Sequence, residues 1–149
     1  MLSLIVPVYR QEKVIARNLQ SILTELEKLA SPYELIAVID GRVDRSMEEA
    51  KKVTSPHVSV VGYETNHGKG YAVRFGMAKS RGDIIGFIDA GGDLKSEGIS
   101  ILLAHFNWYN ADCIVGSKRH PASKVEYPFF RKILSFGYQM LVKMLFGLN

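Results

Sequence analysis

Two carboxylates, Asp89 and Asp93, bracket the pair Gly91-Gly92 directly after the apolar run Ile84-Ile85-Gly86-Phe87-Ile88. A run of that length predicts a strand and puts Asp89 at its carboxyl end. The glycines let the backbone turn tightly before Asp93. Ligands of open parallel sheets bind beyond the carboxyl ends of the strands, so this acidic turn faces a binding crevice. Hard oxygen donors at such a place suit Mg²⁺ or Mn²⁺ holding a diphosphate, with Asp89 and Asp93 as ligands. Asp/Gly loops are also ordinary turns, so the other strand ends decide the matter.

Those ends carry complementary chemistry. Asp40 closes a second apolar run and can accept hydrogen bonds from a base N–H, while Tyr9 follows a third run and offers an aromatic face. Asn66-His67-Gly68-Lys69-Gly70 opens a helix, where free N–H groups and the Lys69 ammonium suit an anion. Its glycine spacing is not that of a Walker loop, and His67 has no second histidine at metal-ligand spacing. Arg74, one turn on, either reaches the same crevice or pairs with a surface acid. Lys118 and Arg119 follow a fifth apolar run, and two cations at that edge suit a diphosphate.

The elements that must position these groups alternate. Strands are predicted at residues 2–8, 35–39, 58–63, 84–88 and 112–115. Helices are predicted from Ile15 to Leu29, over 46–53, from the 66–70 loop to about Ser80, over 96–109 and over 129–148. Ser46, three residues before Glu49, has the form of a capping box. Strands apolar throughout, rather than alternating, specify an α/β three-layer sandwich with a mainly parallel sheet. At 149 residues the chain is long enough for one domain with a real core. A net charge of +4 suits anionic substrates or an anionic membrane surface and is too weak to imply nucleic acid. The single cysteine, Cys113, reads as a core residue, which fits a reducing compartment. The last helix sets Phe130, Ile133, Phe136, Met140 and Met144 apart from most of its polar residues. Such a face lies in a membrane interface or packs on the domain or a partner.

Taken in order, these motifs resemble the family 2 glycosyltransferases of the GT-A fold. The similarity runs through Ile5-Val6-Pro7-Val8-Tyr9, Val38-Ile39-Asp40-Gly41-Arg42-Val43-Asp44, Asn66 to Arg74, Asp89-Ala90-Gly91-Gly92-Asp93 and Val115-Gly116-Ser117-Lys118. It is strongest toward the branch that acts on polyprenyl phosphates, dolichol-phosphate mannosyltransferases among them. The resemblance implies a nucleotide-sugar site. Pro7, Tyr9, Gln11, Val38 and Asp40 would line the base pocket. Asp89, Ala90 and Gly91 would hold ribose, diphosphate and metal, and Lys118 would meet phosphate. Arg119 and Arg131 would face the acceptor's lipid phosphate. It further implies transfer of a hexose from a GDP-mannose or UDP-glucose type of donor, at the membrane surface, by a protein peripheral to the membrane on its cytoplasmic side. A flavodoxin-like or receiver-type α/β protein lacks these loops.

The chain departs from that family in three places. Gly91 stands where the family usually has a second acid, so Asp89 and Asp93 must hold the metal with phosphate oxygens and water, and metal binding is weakened. Tyr9-Arg10-Gln11 replaces the usual Tyr-Asn-Glu, with Glu12 standing in for the lost carboxylate. The chain also stops at Asn149, before the acceptor side of its relatives. It is therefore expected to be a donor-binding domain truncated at its C-terminus, with a membrane-anchored remainder as partner. The alternative is a non-catalytic module of the same fold that binds nucleotide sugar.

Overall fold

The computed structural model describes residues 1–92, 96–117 and 129–147. The elements run β1 (Leu2–Val8), α1 (Ile15–Leu26), β2 (Tyr33–Asp40), α2 (Ser46–Ala50), β3 (Val58–Tyr63), α3 (Lys69–Met77), β4 (Ile84–Phe87), α4 (Glu97–Tyr109) and α5 (Phe129–Phe146). The chain divides into two compact units, Met1–Ile114 and Val115–Asn149, the second containing α5.

In the first unit all neighbouring strands are parallel, in the order β3-β2-β1-β4. The two central strands are apolar on both faces because helices cover both. Leu4, Val6 and Val8 of β1 and Ala37 and Ile39 of β2 pack with Ile15, Leu19, Leu23, Met47 and Ile99, from α1, α2 and α4. Ile5, Ile36 and Val38 meet Ala72 and Phe75 of α3 on the other face. Gly76 lets α3 sit this close, since a Cβ there would lie 2.6 Å from Ile5 Cγ2.

From β1 the chain steps outward to β2 and β3, then returns to add β4 on the far side of β1. That reversal puts the binding crevice between the carboxyl ends of β1 and β4. Pro7 opens it. The Ile88 N–H still donates to the Ile5 carbonyl at 3.0 Å, but the next rung of a parallel ladder needs an N–H from residue 7, which proline lacks. The β1–β4 pairing accordingly stops at Ile5↔Phe87, while β1–β2 continues to Val8↔Ile39.

The expected strand at 112–115 does not form; these residues are irregular, and β4 has no partner on its outer side among the described residues. The apolar run there is only Cys113-Ile114-Val115. With no neighbour to complete its hydrogen bonds it stays open, and Cys113 is exposed rather than in the core. The capping box at Ser46 is also absent. Arg45 takes the N-cap position without a side-chain cap, and Ser46 Oγ instead accepts the Gln11 N–H at 2.9 Å.

Candidate functional site

A cleft of about 490 Å³ lies at the carboxyl edge of the sheet. Pro7, Tyr9 and Gln11 enter it from β1 and its loop, Asp40 from β2, Asn66, Gly68 and Lys69 from the loop into α3, and Asp89, Ala90 and Gly91 from the turn after β4. Residues as far apart in sequence as Pro7 and Gly91 thus meet at one rim because parallel strands all end there.

Asp40 is buried, at 2% exposure, and its carboxylate is already engaged. Oδ1 accepts the Tyr63 hydroxyl at 2.9 Å and the His67 N–H at 2.8 Å; Oδ2 accepts Asn66 Nδ2 at 2.8 Å. Asn66 Nδ2 also reaches the Asp40 carbonyl at 3.2 Å. Asp40 therefore holds the loop that leads into α3, a task the strand-end reading did not foresee. Burial, with the hydrogen bond to Asp40, pushes the Tyr63 hydroxyl pKa far up and keeps it a donor. Edge-to-face contacts of Tyr63 with Tyr71 and Phe75 brace the same corner. Gly41, at φ 87, lies against this loop, and a Cβ there would come within 2.8 Å of the Asn66 nitrogen.

Across the cleft the Asp89 carboxylate faces solvent and pairs with Lys69 Nζ at 2.5 Å. Lys69 is the first residue of α3, after Gly68 at φ 90. Its ammonium also lies 5.4 Å from the centre of the Phe87 ring. Asn18, on α1, reaches across to the same turn and donates from Nδ2 to the Ala90 carbonyl at 2.8 Å. Gly92, at φ 76, packs on that amide, where a Cβ would sit 2.9 Å from Nδ2. Asn18 was missed from sequence because it looks like one more polar residue on the outer face of an amphipathic helix. Asn18→Ala is expected to weaken nucleotide binding about fivefold in calorimetry, a loss of roughly 1 kcal/mol, by freeing the Asp89 turn. Unchanged affinity would assign that hydrogen bond to stability alone.

Several expected site residues lie elsewhere. Val38 is wholly buried in the core beneath α3 and does not line the cleft, because its face of β2 is covered by that helix. Glu12 belongs to a neighbouring cleft of about 540 Å³ with Arg10, Lys13, Val43 and Asp44. Its carboxylate accepts the Arg45 N–H at 3.1 Å, so it does not stand in beside Tyr9. Asp44 locks this loop pair together by accepting the Ser46 N–H at 3.0 Å and the Glu12 N–H at 3.3 Å. Burial pushes the Asp44 pKa up, but these hydrogen bonds and the Arg10 charge outweigh it and leave the carboxyl below its usual range. Among the described residues Gln11 alone borders both clefts. Tyr9 is exposed, with the Arg10 guanidinium 5.2 Å over its ring; Arg10 itself is left-handed at φ 53, where the family's asparagine is at ease. Arg74 is exposed on α3 and does not line the cleft. Asp93, Lys118 and Arg119 lie outside the described residues, as does the Arg131 side chain.

Comparison with known proteins agrees with this geometry. The chain is 34% identical to human dolichyl-phosphate beta-glucosyltransferase, over 95% of its own length and 48% of that protein. It therefore spans about half the length of the curated relatives it matches. Among solved structures it is similar to S. aureus TarS 1–349, at 25% identity and a TM-score of 0.59, covering 74% of this chain and 33% of that one. It is also similar to the mannosyltransferase PcManGT from Pyrobaculum calidifontis, solved with GDP-Man and Mn²⁺, at 22% identity and a TM-score of 0.52, covering 60% and 27%. The parallel sheet with its rim cleft is thus of the GT-A type. Residues 3–144 match the sequence family described as glycosyl transferase family 2, and the chain belongs to that family.

Proposed function

We propose that this chain is the donor-binding part of a glycosyltransferase that moves glucose from a nucleoside-diphosphate sugar to a dolichyl or other polyprenyl phosphate. The reading rests above all on Asp89 and Lys69 facing one another across the rim cleft, opposite charges where a diphosphate and its counter-ion would need them. The names of the curated relatives support glucose and dolichyl phosphate. A phosphate monoester is largely ionised near neutral pH, so its oxygen needs no strong base to attack the anomeric carbon. The new C–O bond forms as the bond from that carbon to the donor's β-phosphate oxygen breaks, and the nucleoside diphosphate leaves. What the protein must supply is alignment and charge stabilisation of the leaving group.

A divalent cation fits this cleft only in a particular way. Among the described residues no three His, Cys, Asp or Glu side chains converge on one point. Asp89 is, among the described residues of the cleft, the carboxylate on the solvent side, since the oxygens of Asp40 are engaged. Mg²⁺ or Mn²⁺ held by only one or two carboxylates takes its remaining ligands from phosphate oxygens and water, so it would arrive with the donor. Asp93 is the proposed second ligand. A Cβ at Gly91 meets nothing within 4 Å among the described residues, which leaves room for an acid. Gly91→Asp is expected to tighten Mn²⁺ binding about tenfold, roughly 1.4 kcal/mol. An unchanged calorimetric affinity would count against a metal at this turn.

The membrane surface is the proposed working place, on the cytoplasmic side. In support, α5 exposes Phe136, Met140, Leu141, Met144, Leu145 and Phe146. No helix among the described residues is long and apolar enough to cross a membrane. Such a helix would lie flat in the headgroup layer. Flotation with anionic phospholipid vesicles tests this, and a chain left in the aqueous fraction argues against it.

The deciding experiment measures melting temperature with UDP, GDP, UDP-glucose and GDP-mannose in Mn²⁺, followed by label transfer to dolichyl phosphate. Stabilisation by the UDP compounds with release of UDP is the expected result. Binding without release would favour a non-catalytic nucleotide-sugar module, and no stabilisation by any of them would overturn the reading.

A further inference from the structure

We propose that Lys69 is a tethered cation that occupies Asp89 until a nucleotide diphosphate draws it away, so that metal and donor each favour the other's entry. This rests on the nucleotide-sugar reading of the cleft. Lys69 Nζ lies 2.5 Å from Asp89 Oδ1, and the face of the Phe87 ring, 5.4 Å off, favours the ammonium in that place. Gly91 carries no carboxylate, and among the described residues the other acid of the cleft, Asp40, is committed to Tyr63, Asn66 and His67. A divalent ion approaching Asp89 therefore meets a carboxylate already neutralised by a positive charge in contact with it. The repulsion between the two cations works against the metal.

The guard is removable. The Lys69 and Asp89 side chains are 56% and 44% exposed, and ion pairs this open are held weakly. Lys69 is the first residue of α3, where the free N–H groups of the helix end already favour an anion. A diphosphate arriving there gives the ammonium a more highly charged partner within reach. Asp89 is then freed, and the cation that comes with the phosphates can bind it. The outcome is positive coupling between nucleotide and metal, which linkage requires to be equal in both directions.

Mn²⁺ titrations of the whole chain by electron paramagnetic resonance, with and without saturating UDP or GDP, test this through Lys69→Met and Lys69→Gln. Both variants remove the charge at an exposed helix start, so either suffices if the other folds poorly. In the unaltered chain nucleotide is expected to tighten Mn²⁺ about tenfold or more. In the variants Mn²⁺ alone should bind about fivefold tighter, and the enhancement by nucleotide should fall below about threefold. Lys69→Arg keeps the charge and should keep the coupling, while Asp89→Asn should abolish Mn²⁺ binding in every background. Unchanged Mn²⁺ affinity in the charge-removing variants would overturn the guard, and the nucleotide-sugar reading of the cleft would still stand if the unaltered chain binds UDP or GDP. If no nucleotide binds but the variants still gain Mn²⁺ affinity, the guard stands and the nucleotide-sugar reading falls.

Discussion

Asp40→Ala is expected to destabilise the chain by about 3 kcal/mol in urea titration, because three donors lose their acceptor at once. Tyr63, Asn66 and the His67 backbone all converge on this carboxylate, which is itself buried. Water can reach Asn66 and His67 at the exposed side of the loop, which limits the cost. The Tyr63 hydroxyl is less accessible, so Tyr63→Phe should recover part of the loss when combined with Asp40→Ala. That non-additivity, measured in a double-mutant cycle, is the signature of a shared contact. Nucleotide binding should fall with it by about thirtyfold, roughly 2 kcal/mol, since Gly68 and Lys69 are delivered by the loop Asp40 holds. Asp40→Asn separates two roles. A side chain that reads the base would shift the preference between UDP and GDP, whereas one that holds the loop weakens both equally. The hydrogen bonds predict the second result, and a changed base preference in Asp40→Asn would restore the direct role.

How far the sequence carried depends on the kind of contact. Asp89 was readable because its cue is local: an apolar run of strand length that ends in a carboxylate followed by glycines. The parallel sheet was readable for a similar reason, since the middles of β1 and β2, Leu4–Val8 and Leu35–Ile39, are apolar at every position and must be covered twice. That same uniformity hid the faces. Nothing in Val38-Ile39-Asp40 says that Val38 lies under α3 while Ile39 joins the core on the opposite face, so the sequence alone puts Val38 in a pocket it does not line. Glu12 failed through loop geometry: the left-handed Arg10 and the bonds from Asp44 and Ser46 turn residue 12 toward Arg45. Asn18 and Lys69–Asp89 depend on partners 72 and 20 positions away, and no periodicity announces such pairs. The strand expected at 112–115 shows the converse, since apolar composition cannot supply a hydrogen-bonding neighbour.

Glu34→Ala should destabilise the chain as much as the loss of Asp40 and yet leave the affinity of the folded protein for nucleotide unchanged. The two carboxylates sit on the same face of β2, the face toward α3, at opposite ends of the strand. Asp40 grips the loop before that helix and Glu34 grips the loop after it. Glu34 Oε1 accepts the Ser3 hydroxyl at 2.6 Å and the Arg81 N–H at 2.7 Å, while Oε2 takes Arg81 Nε at 3.0 Å and Nη2 at 2.9 Å. Ser3 in turn accepts the Gly82 N–H at 2.8 Å, which ties the entry of β4 to β1. The Arg81 side chain is largely exposed and can rehydrate, but the Ser3 hydroxyl, on a fully buried residue, cannot easily do so. Removing their acceptor should cost about 2–4 kcal/mol. Burial alone would raise the Glu34 pKa, but the bonds from Ser3 and Arg81 and the guanidinium charge outweigh it and leave the group below the ordinary carboxylate range. A depressed folded-state pKa means that the stabilisation is complete above the unfolded value of about 4.3 and is lost as pH falls through the folded one. Glu34→Gln keeps the shape without the charge, so urea midpoints measured from pH 6 down to pH 3 should fall less steeply for it than for the unaltered chain. Equal slopes would mean that the acid sensitivity of this fold arises at other carboxylates, and that the grip on Arg81 is one of shape rather than charge.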